Sequence, residues 1–322
     1  MAKGPSVEDR LADLARLGKS PNSPEARAQL RNHLASKVSL VAARAADVVR
    51  RIEDHDSVPD LVAAFHRFMI DPVKTDKGCV AKIAVVKALL AAESDEEEIY
   101  LAGIRHVQLE PTWGGRADTA AQLRALSALG LVQSGAPDCM NELAALLADA
   151  EADARIGAAR ALAHCGPAGA PLLRFKMLSG DAEPAVLAEC LNGLMMLSPS
   201  GSFAFVARFV DPSYPSVYEH AALALSESRL PEAFAVLKEK WSSTFSREFR
   251  QALLLPIALT RSEAACEFVI SILESGELNL VTAAISALSI YRGDPAIRQR
   301  AEKVIAGPNK VQLLEAPARA FE

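Results

Sequence analysis

The sequence predicts an all-α chain, an α-solenoid of about eight helical hairpins with a capping helix at each end. Three observations predict it. Half of the 322 residues are apolar but only 5% are aromatic, and most of the apolar share is Ala and Leu, which favour helix over strand. One apolar pattern at the 3.6-residue period of a helix face recurs along the chain. A second set of helix starts lies between those copies, several of them opening on proline. Each copy is therefore the second arm of a hairpin. One hairpin cannot bury its apolar stripe alone, whereas stacked neighbours share a continuous core.

In chain order, residues 1–22 hold an N-terminal capping helix over 6–18, ending at Gly18. Residues 23–306 form the array. In the segment Asp149 to Leu162, with Ala154 as position zero, small or apolar residues fall at 0, +4, +5, +7 and +8, here Ala154, Ala158, Ala159, Ala161 and Leu162. The same template fits zero positions at Val41, Ala81, Ala121, Ala154, Val186, Val217, Phe249 and Leu280, spaced by 40, 40, 33, 32, 31, 32 and 31 residues. The intervening helices start near Pro24, Pro59, Pro137, Pro231 and Ser262, and a final helix over 295–305 caps the array. The tail 307–322, with two prolines, is expected to pack loosely or stay partly disordered.

These motifs resemble the HEAT-like repeat in its short bacterial version, as found in phycobilisome lyases. Asp149, Arg155, Ala158-Ala159 and Ala161-Leu162 match its pattern, as do Asp211-Pro212, Val217, Ala221-Ala222 and Ala224-Leu225, and Ala128-Leu129-Gly130. The copies at Phe249 and Leu280 depart from it in lacking the leading Asp. The resemblance implies a right-handed solenoid whose motif helices line a concave face, and a scaffold that binds other proteins. On that face positions +3 and +6 are expected to point outward, so Arg44, Lys87, Arg124 and Arg160 would form a cationic stripe in the first half.

The two upstream spacings exceed the rest by about eight residues, which lie in the loops 71–79 and 110–118, each just before a motif helix. Stacking should set them side by side. Gly78 and Gly114-Gly115 free backbone amides, Lys74, Lys77, Lys82 and Arg116 add cationic donors, and Trp113 offers a flat face, a set able to hold a phosphate or carboxylate. The competing reading is that both loops are neutral surface insertions, with Gly and Pro making the turns and Trp113 packing over an exposed core edge. Long loops on a rigid scaffold are where binding concentrates, so the expected site joins these residues to the cationic stripe, and the expected partner is a protein or acidic peptide.

Other classes fare worse. The 40 acidic and 35 basic residues leave a net charge of −5, which argues against strong nucleic-acid binding. The N-terminus has no apolar leader and the longest apolar runs fall far short of a bilayer span, so a cytoplasmic protein is expected. Cys79, Cys139, Cys165, Cys190 and Cys266 are odd in number and widely spaced, which suits reduced core thiols. His164, Cys165, Cys190 and His220 lack the paired spacing of zinc ligands. No P-loop, nucleophile elbow or dinucleotide fingerprint occurs, so no catalytic residue, metal or cofactor is expected. The alternative is an enzyme on the same kind of fold, an alkyl-base DNA glycosylase or a bilin-lyase-like protein.

Overall fold

The computed structural model describes residues 5–19, 23–274 and 277–305. The C-terminal tail 307–322 lies outside the described residues. The chain divides into two compact units, residues 1–172 and 173–322.

The first unit contains α1 (Val7–Leu17), α2 (Pro24–Leu34), α3 (Ser39–Ile52), α4 (Val58–Met69), the single turn α5 (Pro72–Thr75), α6 (Val80–Ala91), α7 (Glu97–Ile104), strands β1 (Leu109–Thr112) and β2 (Gly115–Asp118), α8 (Ala121–Gln133), α9 (Cys139–Leu146) and α10 (Ala152–Leu162). Its first two helices begin on side-chain caps that satisfy their first amides. Ser6 and Asp9 form a reciprocal capping box on α1, and Ser23 accepts from Ala26 ahead of Pro24 on α2. The hairpins α2–α3, α4–α6, α7–α8 and α9–α10 stack through their second arms, α3 on α6, α6 on α8 and α8 on α10, while α1 packs on α3 as a cap.

The unit boundary falls inside α11 (Ala170–Ser179). The second unit continues with α12 (Pro184–Leu197), α13 (Pro199–Ala207), α14 (Tyr218–Glu227), α15 (Glu232–Ser243), α16 (Arg247–Leu259), α17 (Glu263–Glu274), α18 (Leu278–Leu288) and α19 (Pro295–Ile305). Again the motif helices stack in order, α12 on α14, α14 on α16 and α16 on α18, with α13, α15 and α17 packed against α14, α16 and α18, and α19 packs on α17. Among the described residues the chain is all-α apart from one hairpin, and all eight zero positions of the repeat are buried.

Three expectations need correction. The loop ahead of α8 is a two-stranded antiparallel hairpin, pairing Leu109 with Asp118 and Thr112 with Gly115. Gly114 closes its tip at φ 89°, a conformation glycine adopts without strain. The register of the third repeat is shifted by two: α8 buries Leu123, Arg124, Ser127, Ala128 and Leu131, while Ala125, Leu126 and Leu129 are only half-buried. Leu123, not Ala121, is equivalent to Ala81. Finally, position +3 is not generally outward. Ala84 is buried, and a Cβ on Gly157 would lie 2.3 Å from that of Ala125, so this position is where α10 meets α8. Position +6 does stay open at Arg160, Asn192, Leu255 and Ser286.

Candidate functional site

The two long loops lie against each other in the first unit. The chain leaves α4 through Asp71 in the left-handed region (φ 49°), makes the turn α5, and enters α6 through Gly78 (φ 69°) and Cys79 (φ 54°). Asp76 caps α6 from below, accepting from the amides of Ala81 and Lys82 at 2.8 and 3.1 Å. The Lys82 ammonium sits 3.1 Å from Asp76 and donates to the Phe68 carbonyl at 3.3 Å, with both charged side chains wholly buried. A buried charge demands such a partner.

The next repeat does the same with arginine. Arg124, only 3% exposed, donates to Asp118 at 2.7 Å, to the His106 carbonyl at 2.9 Å and to Asp149 at 2.8 Å. Asp118 precedes α8 and Asp149 precedes α10, so one guanidinium ties the starts of two consecutive motif helices. Its planar fork suits two carboxylates at once. Burial alone would disfavour the cation, but Asp149 and Asp118 overcome it and hold the Arg124 pKa above its ordinary value. Asp118 is also desolvated, yet donors from Ala120, Gln108 and Arg124 keep its pKa low.

Gln108, almost fully buried, joins the two loops. Its amide nitrogen donates to the Asp76 carbonyl (2.8 Å) and to Glu110 (2.6 Å), and its oxygen accepts from the Cys79 thiol (3.2 Å) and pairs with His106 Nε2 (3.1 Å). Glu110 reaches back from β1, and its Oε1 accepts from the Gly78 amide (2.6 Å) and the Thr119 hydroxyl (2.9 Å) as well. Those hydrogen bonds outweigh desolvation and keep the Glu110 carboxyl below its ordinary range. The amide expected to hold a ligand anion therefore already holds a carboxylate of this chain.

The expected site residues part into two groups. Lys82 and Arg124 are internal ion-pair partners and leave the surface set, because the loops cover them and nearby aspartates compensate their charge. Trp113 is wholly exposed at the hairpin tip. Arg116 on β2 and Lys77 are exposed, and Lys74 is exposed but paired with Asp71 at 2.9 Å. On the motif helices Arg44 and Arg160 are exposed and Lys87 is half-buried. The stripe is thus Arg44, Lys87 and Arg160, and in the corrected register Leu129 stands at +6 of the third repeat.

Asp76, Gln108, Glu110, Asp118 and Thr119 escaped the sequence reading. One signal was available: an acid stands six residues before a cation in three successive repeats, as Asp76/Lys82, Asp118/Arg124 and Asp149/Arg155. Arg155 completes the set by donating to the Asp149 carbonyl at 2.9 Å.

No family model matches the chain, and no curated protein does. Among solved structures it is similar to the complex of CpcE and CpcF of phycocyanin lyase from Nostoc sp. PCC7120, at 15% sequence identity and a TM-score of 0.33, covering 98% of this chain and 97% of that chain. What the chain does must be read from its own residues. Burial pushes the Cys79 thiol up to about 11, and burial followed by the cations Lys82 and Arg124 holds His106 below its ordinary value despite its bond to Gln108. No helix among the described residues is long and apolar enough to cross a membrane.

Proposed function

We propose that the chain is a non-enzymatic scaffold whose loop edge docks an acidic segment of a protein partner, with Trp113 as the apolar anchor and Lys77 and Arg116 as the charged rim. The observation that carries this reading is a tryptophan held wholly in solvent on a hairpin that a buried hydrogen-bond network pins in place. An exposed indole on a rigid support loses little conformational freedom on binding and gains much from being covered. Arg44, Lys87 and Arg160 extend the positive character along the motif helices of the same unit. The glycosylase alternative is weakened, because two of the cations it would need for a phosphate backbone, Lys82 and Arg124, are neutralised inside the protein. The lyase alternative draws support from no residue described above.

The test is affinity purification of wild type beside Trp113→Ala and Arg116→Glu, followed by titration calorimetry with the partner identified. A central tryptophan typically contributes at least about 2 kcal/mol, so Trp113→Ala should weaken binding about thirtyfold. Equal affinity of all three proteins, each folded by circular dichroism, would remove the loop edge as the docking site.

A further inference from the structure

Among the described residues, seven large apolar side chains of the first unit stand open to solvent, and all seven lie on its loop edge. Ile70 and Val107 are 71% and 57% exposed where the chain leaves α4 and α7, and Leu109 lies on the hairpin whose tip carries Trp113. Val38, Leu40 and Val80 stand at the starts of α3 and α6. Leu40 and Val80 occupy one position of the repeat, the residue before the apolar zero, on two helices that pack together. In the other repeats that position holds Gln122, Asp153, Ala185, Ser216, Glu248 or Asn279, so stacking does not require a large apolar residue there. The exposed apolar side chains of the second unit are instead dispersed over α11, α12, α16 and two turns. Scattered apolar residues are ordinary on a surface, whereas a gathered row with a charged rim marks an interaction surface.

The three turns are joined beneath the row. Arg67, near the end of α4, donates to the Leu34 carbonyl at the turn into α3, and Gln108 and Glu110 tie the second turn to the third through the Asp76 carbonyl and the Gly78 amide. The acids of these turns are already engaged, Asp71 with Lys74, Asp76 with Lys82, Asp118 with Arg124 and Glu110 with Gly78, whereas Lys37, Lys77 and Arg116 are exposed beside the apolar row. We propose that this row seats an amphipathic helix of the partner protein, apolar on one face and acidic at its margins. Such a seat presupposes that the loop edge docks an acidic segment; it adds the form of that segment and its reach across the turns ahead of α3, α6 and α8. A helix satisfies its own backbone, whereas an extended segment would lay unpaired N–H and C=O groups against an apolar row. Stacked helices stand about 8–10 Å apart and a helix rises about 1.5 Å per residue, so an apolar residue about every seven, back on the same face after two turns, meets each repeat in succession.

The experiment is titration of the full chain with a synthetic, tryptophan-free peptide of about 20 residues, leucine on one helix face and glutamate and alanine elsewhere. A scrambled peptide of the same composition and vesicles of phosphatidylserine and phosphatidylcholine are run beside it. Tryptophan emission reads the edge, because Trp113 is wholly exposed and Trp241 is already half-buried. The expected result is a blue shift, a gain of peptide helicity, and binding of the amphipathic peptide at least about tenfold tighter than the scrambled one. The double variant Ile70→Ser with Val107→Ser, folded by circular dichroism, should weaken that binding at least about tenfold, and Leu255→Ser, exposed on α16 of the second unit, should leave it unchanged. Equal binding of the two peptides, or a double variant that binds like wild type, would overturn the helix seat and leave docking of an acidic segment at Trp113 standing. Binding of neither peptide would overturn both readings, and a blue shift with the vesicles in that case would assign the edge to an anionic lipid surface instead.

Discussion

The loop edge of the first unit and the first two short turns of the second each set an aspartate ahead of a motif helix, but neutralise it differently. In the second unit Asp181 and Asp211 accept from the amides two residues on, at 2.8 and 2.9 Å, and their cations come from other helices, Lys176 of α11 and Lys240 of α15. Asp211 keeps nearly half its side chain in water, and its lysine stands off at 4.0 Å, whereas Asp181 is enclosed and pairs with Lys176 at 2.8 Å. In the first unit the extra loop residues cover Asp76 and Asp118, and the cation comes from the motif helix itself, Lys82 or Arg124. The difference shows what an insertion asks of a repeat. Covering a helix-start carboxylate removes its water, so a counter-charge must be built in within reach. The position one residue past the apolar zero supplies it. Without such a loop the position is not tied to a cation, and Leu187, Tyr218 and Val281 occupy it as well as Arg155 and Arg250.

The largest expected consequence follows from that burial. Lys82→Ala leaves Asp76 wholly enclosed with no opposing charge and should destabilise the protein by about 3–5 kcal/mol, measured by urea denaturation. A loss below about 1 kcal/mol would mean that water reaches Asp76 and that the two regions do not differ as described. A double variant, Lys82→Met with Asp76→Asn, should recover part of the loss, since it removes the uncompensated charge.

The second unit should answer more weakly. Asp211→Ala removes an exposed cap bonded to Ser213 and a distant lysine, and should lower stability by about 1 kcal/mol. Equal losses for Asp211→Ala and Lys82→Ala would abolish the distinction. Arg250 is no neutral reference in such comparisons. Its guanidinium stacks 4.8 Å from the Trp241 ring and donates to the Trp241 carbonyl at 3.3 Å, while the indole donates back to the Arg250 carbonyl at 3.1 Å, locking α15 to α16.

How far the sequence reaches can be judged from particular residues. The repeat was legible because Ala154, Ala158, Ala159 and Leu162 must all face the core at a fixed period, and no tertiary accident alters that. The third repeat misled because its core includes Arg124 and Ser127, and a pattern that sorts residues by polarity places both outside. Lys82 misled for the same reason. The hairpin was missed because Leu109 to Asp118 has no two-residue alternation of apolar and polar positions; Glu110 and Gln108 make its contacts through hydrogen bonds, which periodicity cannot register. The pairing of the two long loops was legible, since it follows from chain length and stacking, whereas the full exposure of Trp113 was not, because an indole beside a core edge reads equally well as packed over it. That the loops' anion cradle is filled from within was not, because Glu110 meets Gly78 only across 32 residues of sequence.

The smallest expected difference between the regions is their response to acid. His106, Glu110 and Asp118 all have pKa values below their ordinary ones, His106 because of burial and two neighbouring cations, the carboxylates because hydrogen-bond donors outweigh desolvation. In each case the unfolded chain binds the proton more readily than the folded one, so stability falls as pH falls. The contribution of His106 is complete above its unfolded value, about 6.5, and is lost as pH drops through its lower folded value; the carboxylates follow below about 4. Hydrogen exchange can read this locally, as protection of the Gly78 amide on Glu110 and the Thr119 amide on the Gln108 carbonyl, with the Ser213 amide on Asp211 as the counterpart in the second unit. From pH 7 to 5 protection should fall at Gly78 and Thr119 and hold at Ser213, because Asp211 is a carboxylate whose lowered pKa keeps it ionised throughout that range. His106→Asn should flatten the decline at the loop edge while leaving the drop below about pH 4 intact. Parallel declines at all three amides between pH 7 and 5 would mean that the acid response belongs to the repeat in general and owes nothing to the buried network under the loops.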